Sequence, residues 1–355
     1  MIMTNSLDQP LRMSDVLFLA DPIIDEGVAP KKSDEDKKHS RWATDAESNM
    51  FWGTGNTVDT MPPGMYKCGY QDNIGPCLSK VIIETDDLIS MPDMMCQEAI
   101  NQITTFWSEE VRKKMETRGF LHKRGILMYG EPGSGKTCTI QMLVSMLIKD
   151  GGIAIHAEDP HVLASCLQLV RRIEPDRPMI VILEDFDTLT DRDRRENTWL
   201  AVLDGEAQVS NVVFLATTNY IENLDKRIVD RPSRFDMILP VPMPSAKARM
   251  AYIKYKEPEI SNEELYKWVQ ASSGYSIAHL KEMILSIVCY GKTLEETCER
   301  LDASRKRNFS NADLEFEAKG SGGMGFVKTE SDSKFSSIEE FEKFAQELEG
   351  WDYNV

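Results

Sequence analysis

Ile126-Leu127-Met128-Tyr129-Gly130-Glu131-Pro132-Gly133-Ser134-Gly135-Lys136-Thr137-Cys138 decides the fold. Four apolar residues, a glycine-rich turn and a periodic apolar run over 140–148 read as strand, loop and helix. Every fixed position of G-x-x-x-x-G-K-[S/T] is met between Gly130 and Thr137. The residue types carry the chemistry. Gly130, Gly133 and Gly135 let backbone N–H groups converge on phosphate oxygens, Lys136 extends toward the β- and γ-phosphates, and the Thr137 hydroxyl suits Mg²⁺. With Pro132, Ser134 and Cys138, this stretch is the expected contact set for a nucleoside triphosphate.

Around it, short apolar runs at 153–157, 162–170, 179–183, 200–203 and 212–216 are separated by helical patterns, with 153–157, 179–183 and 212–216 read as strands. Such runs mark a parallel sheet buried on both faces. Met179-Ile180-Val181-Ile182-Leu183 leads into Glu184-Asp185-Phe186-Asp187, which sets carboxylates where an α/β sheet presents its ligands. Glu184 is assigned to the Mg²⁺ side and Asp185 to orienting the attacking water. Asp185 is one methylene shorter than the usual Glu at that place. The strand 212–216 ends in Thr217-Thr218-Asn219, whose amide is suited to the γ-phosphate or the attacking water. Leu224-Asp225 is followed by Arg227 and by Arg231-Pro232-Ser233-Arg234-Phe235-Asp236. After three prolines, helical patterns at 246–255, 262–271 and 277–290 predict a small helical appendage.

These motifs in this order, GEPGSGKT, ILEDFD, LDG, ATTN and RPSRFD, resemble the AAA+ ATPases and within them the AAA group. The resemblance covers about residues 119–291. The Glu-Asp order, the LDG and TTN phrases and the absence of an aromatic-Gly threading loop after 153–157 look most like the branch containing the mitochondrial Rieske-protein translocase. It implies a P-loop NTPase sheet with a helical lid, ATP and Mg²⁺ as cofactors, and ATP hydrolysis in a homo-oligomer, typically a hexameric ring. It also implies that Asn219 is the first sensor and that Arg231 and Arg234 reach in trans into a neighbour's site, with Arg227 as the fallback because the Asp225–Arg231 spacing is one residue long. Gly274-Tyr275-Ser276 resembles the start of the second sensor region, with Lys281 either approaching the phosphates or solvated. Asp72-Asn73-Ile74-Gly75 resembles the phrase that borders adenine in this family; a turn is the other reading.

The rest of the chain bounds the function. It has 355 residues, 41% apolar, with 41 Lys+Arg against 58 Asp+Glu for a net charge of −17. So acidic a chain is repelled by phosphate backbones and anionic membranes, so a protein partner is expected over a nucleic acid. No run approaches a membrane span and the first residues hold Asp8 and Asp15, so the expected location is the cytoplasm. Seven scattered cysteines and five histidines predict reduced thiols and no structural zinc. The expected organisation is an N-terminal region over 1–85 of mixed or irregular structure, with a charged linker at 31–41 and a strand at Val81-Ile82-Ile83. An ATPase α/β domain follows over 86–245, opening with one helix carrying Ile100, Ile103, Trp107 and Val111. The lid spans 246–306, and a glycine-rich linker with an acidic tail spans 307–355. Two rival functions share this core: a nucleic-acid motor or loader, and a nucleotide-gated scaffold with little turnover.

Overall fold

The computed structural model describes residues 41–305 and 334–353, apart from 45–48, 55–57, 73, 83–88, 90, 93–95, 192–195, 205–208, 232 and 352. The charged run at 31–40 and the glycine-rich segment at 320–325 lie outside the described residues. Nine strands form one sheet: β1 (Arg41–Thr44), β2 (Met50–Thr54), β3 (Gly64–Gln71), β4 (Gly75–Val81), β5 (Lys123–Tyr129), β6 (Ile153–His156), β7 (Met179–Leu183), β8 (Val212–Thr218) and β9 (Met237–Pro240). Their order is β1-β2-β4-β3-β6-β7-β8-β5-β9. From β3 to β9 neighbouring strands run parallel across β3–β6, β6–β7, β7–β8, β8–β5 and β5–β9.

The apolar runs are continuous because alternate residues enter different cores. Leu127, Val181, Leu183, Phe214 and Ala216 pack on one face. Ile126, Met128, Ile180, Ile182, Val213 and Leu215 pack on the other. Helices α1 (Cys96–Phe106), α2 (Glu109–Thr117), α3 (Lys136–Lys149), α4 (Pro160–Ile173), α5 (Phe186–Asp191), α6 (Glu196–Asp204) and α7 (Lys226–Val229) fill the connections. From β5 the chain crosses to β6 on one side, whereas β9 lies on β5's other side. The loop after β5 therefore opens at the point where the winding reverses, the crevice that parallel sheets offer to ligands.

Two expectations are corrected and a third is refined. The strand expected at Val81-Ile82-Ile83 lies upstream: β4 ends at Val81, Ile82 is 79% exposed, and Ile83 is outside the described residues. The single helix around Ile100–Val111 is two, because Ser108 donates to the Thr105 carbonyl (2.7 Å) and accepts from the Val111 amide (3.4 Å), ending one helix and capping the next. The third is made more specific: the N-terminal region, expected as mixed or irregular, is over its described part short-stranded, a four-stranded antiparallel extension joined to the main sheet by the β3–β6 pair. Short strands rich in Gly and aromatics carry little local signal, and their pairing supplies the order.

One buried network fixes that extension. Glu174, 6% exposed at the end of α4, accepts from the Trp42 indole (2.7 Å) and the Met61 amide (2.9 Å). Arg177 pairs with its second oxygen at 2.9 Å and donates to the Met61 carbonyl at 2.9 Å.

The lid holds α8 (Ala246–Lys256), α9 (Asn262–Ala271), α10 (Ile277–Ile284), which runs into one π turn over Leu285–Cys289, and α11 (294–305). The end of the acidic tail is not a loose appendage. Ser337 caps α12 (Ile338–Leu348), and Phe341, Phe344 and Leu348 join the lid core with Phe335.

Removing Glu174 strands a buried guanidinium, an indole and an amide together. Glu174→Ala is expected to lower stability by about 3 kcal/mol, and Trp42→Phe, which loses one hydrogen bond, by about 1 kcal/mol. Urea-denaturation midpoints check both.

Candidate functional site

A cleft of about 670 Å³ opens between the loop after β5, the ends of β7 and β8, and the lid. Pro132, Gly133, Gly135, Lys136, Thr137 and Cys138 line it from the loop and the start of α3. Gly130 anchors the loop: a Cβ there would meet the Val241 carbonyl oxygen at 2.2 Å, so only glycine lets the strand end pass. Gly135 holds φ at 108°, a conformation side chains resist.

Lys136 is buried, and its Nζ donates to the Gly130 and Glu131 carbonyls at 2.7 and 3.0 Å. Burial pulls its pKa down to about 8, against the opposing pull of Asp185, Asp187 and Glu131. The Ser134 hydroxyl is fully buried and has no hydrogen-bond partner. A buried cation folded onto carbonyls beside an unsatisfied hydroxyl is a cradle suited to an anion, and the loop fits a polyphosphate.

Glu184 and Asp185 divide as their lengths and backbones require. His156 beside Glu184 and, against the effect of burial, the Thr137 hydroxyl hold the Glu184 carboxyl below its usual range. Thr137 and Glu184 thus face each other as hard oxygen donors. Mg²⁺ takes one or two carboxylate or hydroxyl ligands and keeps waters and phosphates for the remainder, so this pair fits it. Among the described residues no three His, Cys, Asp or Glu side chains converge into a cage. Asp185 sits at φ 47°, its amide donating to Thr217 Oγ1 (3.3 Å), and its Oδ1 accepts from the Asn219 amide (3.2 Å). The left-handed backbone explains the reversed Glu-Asp order, because Asp tolerates that region better than Glu.

The arginines stand elsewhere, and none lines the cleft. Arg234 is buried: its Nε and Nη2 clamp Asp204 at 2.9 and 2.8 Å, and its Nη1 donates to the Arg227 carbonyl. Arg234, then Arg231 and Lys123, hold the Asp204 carboxyl below its usual range. Within this chain Arg234 is thus held by Asp204. Arg231 is 63% exposed with one contact to Asp204 at 3.3 Å. Arg227 is also exposed and pairs with Asp225 and Glu196.

Of the two readings of Asp72-Asn73-Ile74-Gly75, the turn is the one seen in its described residues: Gln71 and Gly75 close the β3–β4 hairpin, the Ile74 amide donates to the Gln71 carbonyl, and none of these described residues lines the cleft. The apolar wall comes from Ile89, Met91, Met142, Tyr252 and Ile277. Scattered apolar residues leave no sequence motif; their only trace is burial shared between lid and core. Lys281 does line the cleft, from the exposed side of α10. The lid touches the loop directly, with the Ile277 amide donating to the Gly133 carbonyl at 3.3 Å.

Comparison with known proteins agrees with this geometry. Residues 126–243 match the model of the family described as "ATPase family associated with various cellular activities (AAA)". The chain is 27% identical over 274 residues to the ATP-dependent zinc metalloprotease FtsH of Lancefieldella parvula, covering 68% of this chain and 42% of that protein. It is 26% identical over 187 residues to Protein SAV of Sulfolobus acidocaldarius, covering 47% and 24% respectively. Against the proteasome-activating nucleotidase of Saccharolobus islandicus it is 25% identical over 237 residues, covering 57% and 58%. The chain thus spans well under two thirds of each relative's length. The loop, the carboxylate pair and the matched span coincide on one stretch of sheet: residues 126–243 match an AAA ATPase domain.

Proposed function

We propose that the chain hydrolyses ATP in a homo-oligomeric ring, hexameric in keeping with the family it resembles, and uses the turnover to remodel or move a protein partner. The observation that carries this reading is the convergence in one cleft of Lys136, the Thr137–Glu184 pair and the Asp185–Asn219 pair. Lys136 and the loop amides hold the β- and γ-phosphates. Thr137 and Glu184 hold Mg²⁺, which when bound neutralises developing charge on the phosphate oxygens. Asp185 takes the proton of the attacking water, and Asn219 fixes the Asp185 carboxylate. Arg231, exposed outside the cleft, is the arginine offered to a neighbouring copy. Two relatives carry proteolysis in their names, which supports a protein as partner. The chain contains no His-Glu-x-x-His, so the metalloprotease chemistry of one of them is not carried over. The net charge of −17 weighs against the nucleic-acid motor.

Three outcomes are expected. Asp185→Asn keeps ATP binding and lowers turnover at least about 100-fold in a steady-state phosphate-release assay; turnover equal to wild type removes Asp185 from the chemistry. Arg231→Ala lowers turnover about 1000-fold with an unchanged melting temperature, and co-assembly with Lys136→Ala restores part of it. Arg234→Ala instead lowers stability by about 2 kcal/mol, read in the same denaturation assay.

A fourth expected outcome concerns pH. Lys136 titrates near 8 in the free protein, and a bound polyphosphate raises that value, so binding is strongest below pH 8 and weakens above it. Affinity for ATP is expected to fall about tenfold from pH 7 to 9, with proton uptake seen by calorimetry in two buffers. Lys136→Arg, charged throughout, flattens the slope.

A further inference from the structure

Three neighbouring strands bring a second set of polar side chains up to Glu184. In register across the sheet, Lys67 on β3 faces His156 on β6, and His156 faces Ile182 on β7, two residues before Glu184. His156 Nε2 lies 3.6 Å from Glu184 Oε2, and its Nδ1 lies 3.9 Å from Glu158 Oε1. Lys67 Nζ completes the row with a 2.8 Å bond to Glu158 Oε1. The His156 side chain is 21% exposed, against 47% and 52% for Glu158 and Lys67, so the row is sheltered at its inner end and solvated at its outer end. Nothing in the phosphate chemistry uses these three residues.

We propose that His156 is a positioning residue for Glu184, and that Glu158 and Lys67 extend this hold from the N-terminal strands to the magnesium side of the site. The proposal rests on the reading of Glu184 as the metal-side carboxylate. A Glu carboxylate at a strand end has three rotatable bonds, and a contact to Thr137 alone leaves it free to swing. The ring of His156, held in a strand of the sheet, stands 3.6 Å from Oε2 and limits that swing. A group that orients a metal ligand changes metal affinity by roughly 10- to 100-fold when removed, whereas an exposed ion pair such as Lys67–Glu158 contributes little. The effect therefore grades along the row. Because β3 belongs to the antiparallel extension, a partner that shifts that extension has a physical route to the metal side.

The test follows binding of a fluorescent ATP analogue to the full chain, first in EDTA and then across a magnesium titration. His156→Ala and His156→Asn are expected to raise half-saturating magnesium about tenfold while leaving binding in EDTA within about twofold of wild type. His156→Gln, whose amide N–H stands where Nε2 does, is expected to stay within about threefold, and Lys67→Ala within about twofold. Three results would overturn the proposal: half-saturating magnesium unchanged in the Ala and Asn variants, a loss of EDTA binding in step with the magnesium effect, or a Gln variant as impaired as Ala. Should His156→Ala fail to fold, the Asn and Gln pair decides on its own. Wild-type protein that binds no analogue with magnesium present defeats the ATP site itself; wild-type binding with flat variants defeats only the role of His156.

Discussion

A strand whose successive side chains enter two different cores has nowhere to place a polar group except beyond its end. This constraint organises the whole molecule. β7 is apolar at all five positions, divided between two cores, and the first carboxylates follow at 184 and 185. β8 is buried throughout, and its first half-exposed residue is Asn219. Since β5, β7 and β8 are parallel and adjacent, their ends share one edge, and the phosphate loop, the carboxylates and the amide meet there without any long-range instruction. Burial, which needs only hydrophobicity and period, therefore delivers the chemistry to one place.

At that edge, backbone conformation decides which carboxylate does what. Glu184 leaves the strand with its side chain toward Thr137, while Asp185 turns left-handed and brings a shorter side chain against Asn219. Side-chain length alone makes Asp185 a poor substitute for Glu. The positive φ changes that comparison, because the residue that must turn is the one for which Asp is the better choice. The missing methylene is offset by a backbone that reverses direction at that residue.

This also marks what was legible in the residues. The loop from Gly130 to Thr137, the carboxylate pair and Asn219 are contiguous phrases after apolar runs, and a period-two burial pattern is enough to locate them. Arg231 and Arg234 are equally visible, yet what separates them is not. One is clamped by Asp204, 30 residues earlier in the chain, and the other is exposed; burial is a property of the fold, not of the tetrapeptide that holds them both. The apolar wall from Ile89, Met91 and Tyr252 is illegible for a related reason, since it is assembled from segments on both sides of the sheet sequence and each piece alone reads as ordinary core. Asp72 to Gly75 shows the opposite case. Four residues resemble a phrase whose meaning depends on position, and the hairpin register decides for the turn.

The lid adds a last step to the same logic. Ile277, at the first turn of α10, spends its amide on the Gly133 carbonyl, and a Cβ on Gly133 would come within 2.8 Å of the Ser276 hydroxyl. Gly133 thus serves two masters: its positive φ shapes the loop that receives phosphate, and its lack of a side chain lets the lid sit against that loop. Any rotation of the lid must break or carry this contact, so the loop and the lid cannot move as strangers. α10 in turn shares one core with α12, so the loop contact and the C-terminal helix belong to a single packed unit. The residue that shapes the loop is therefore also the one that makes room for the helices packed on it.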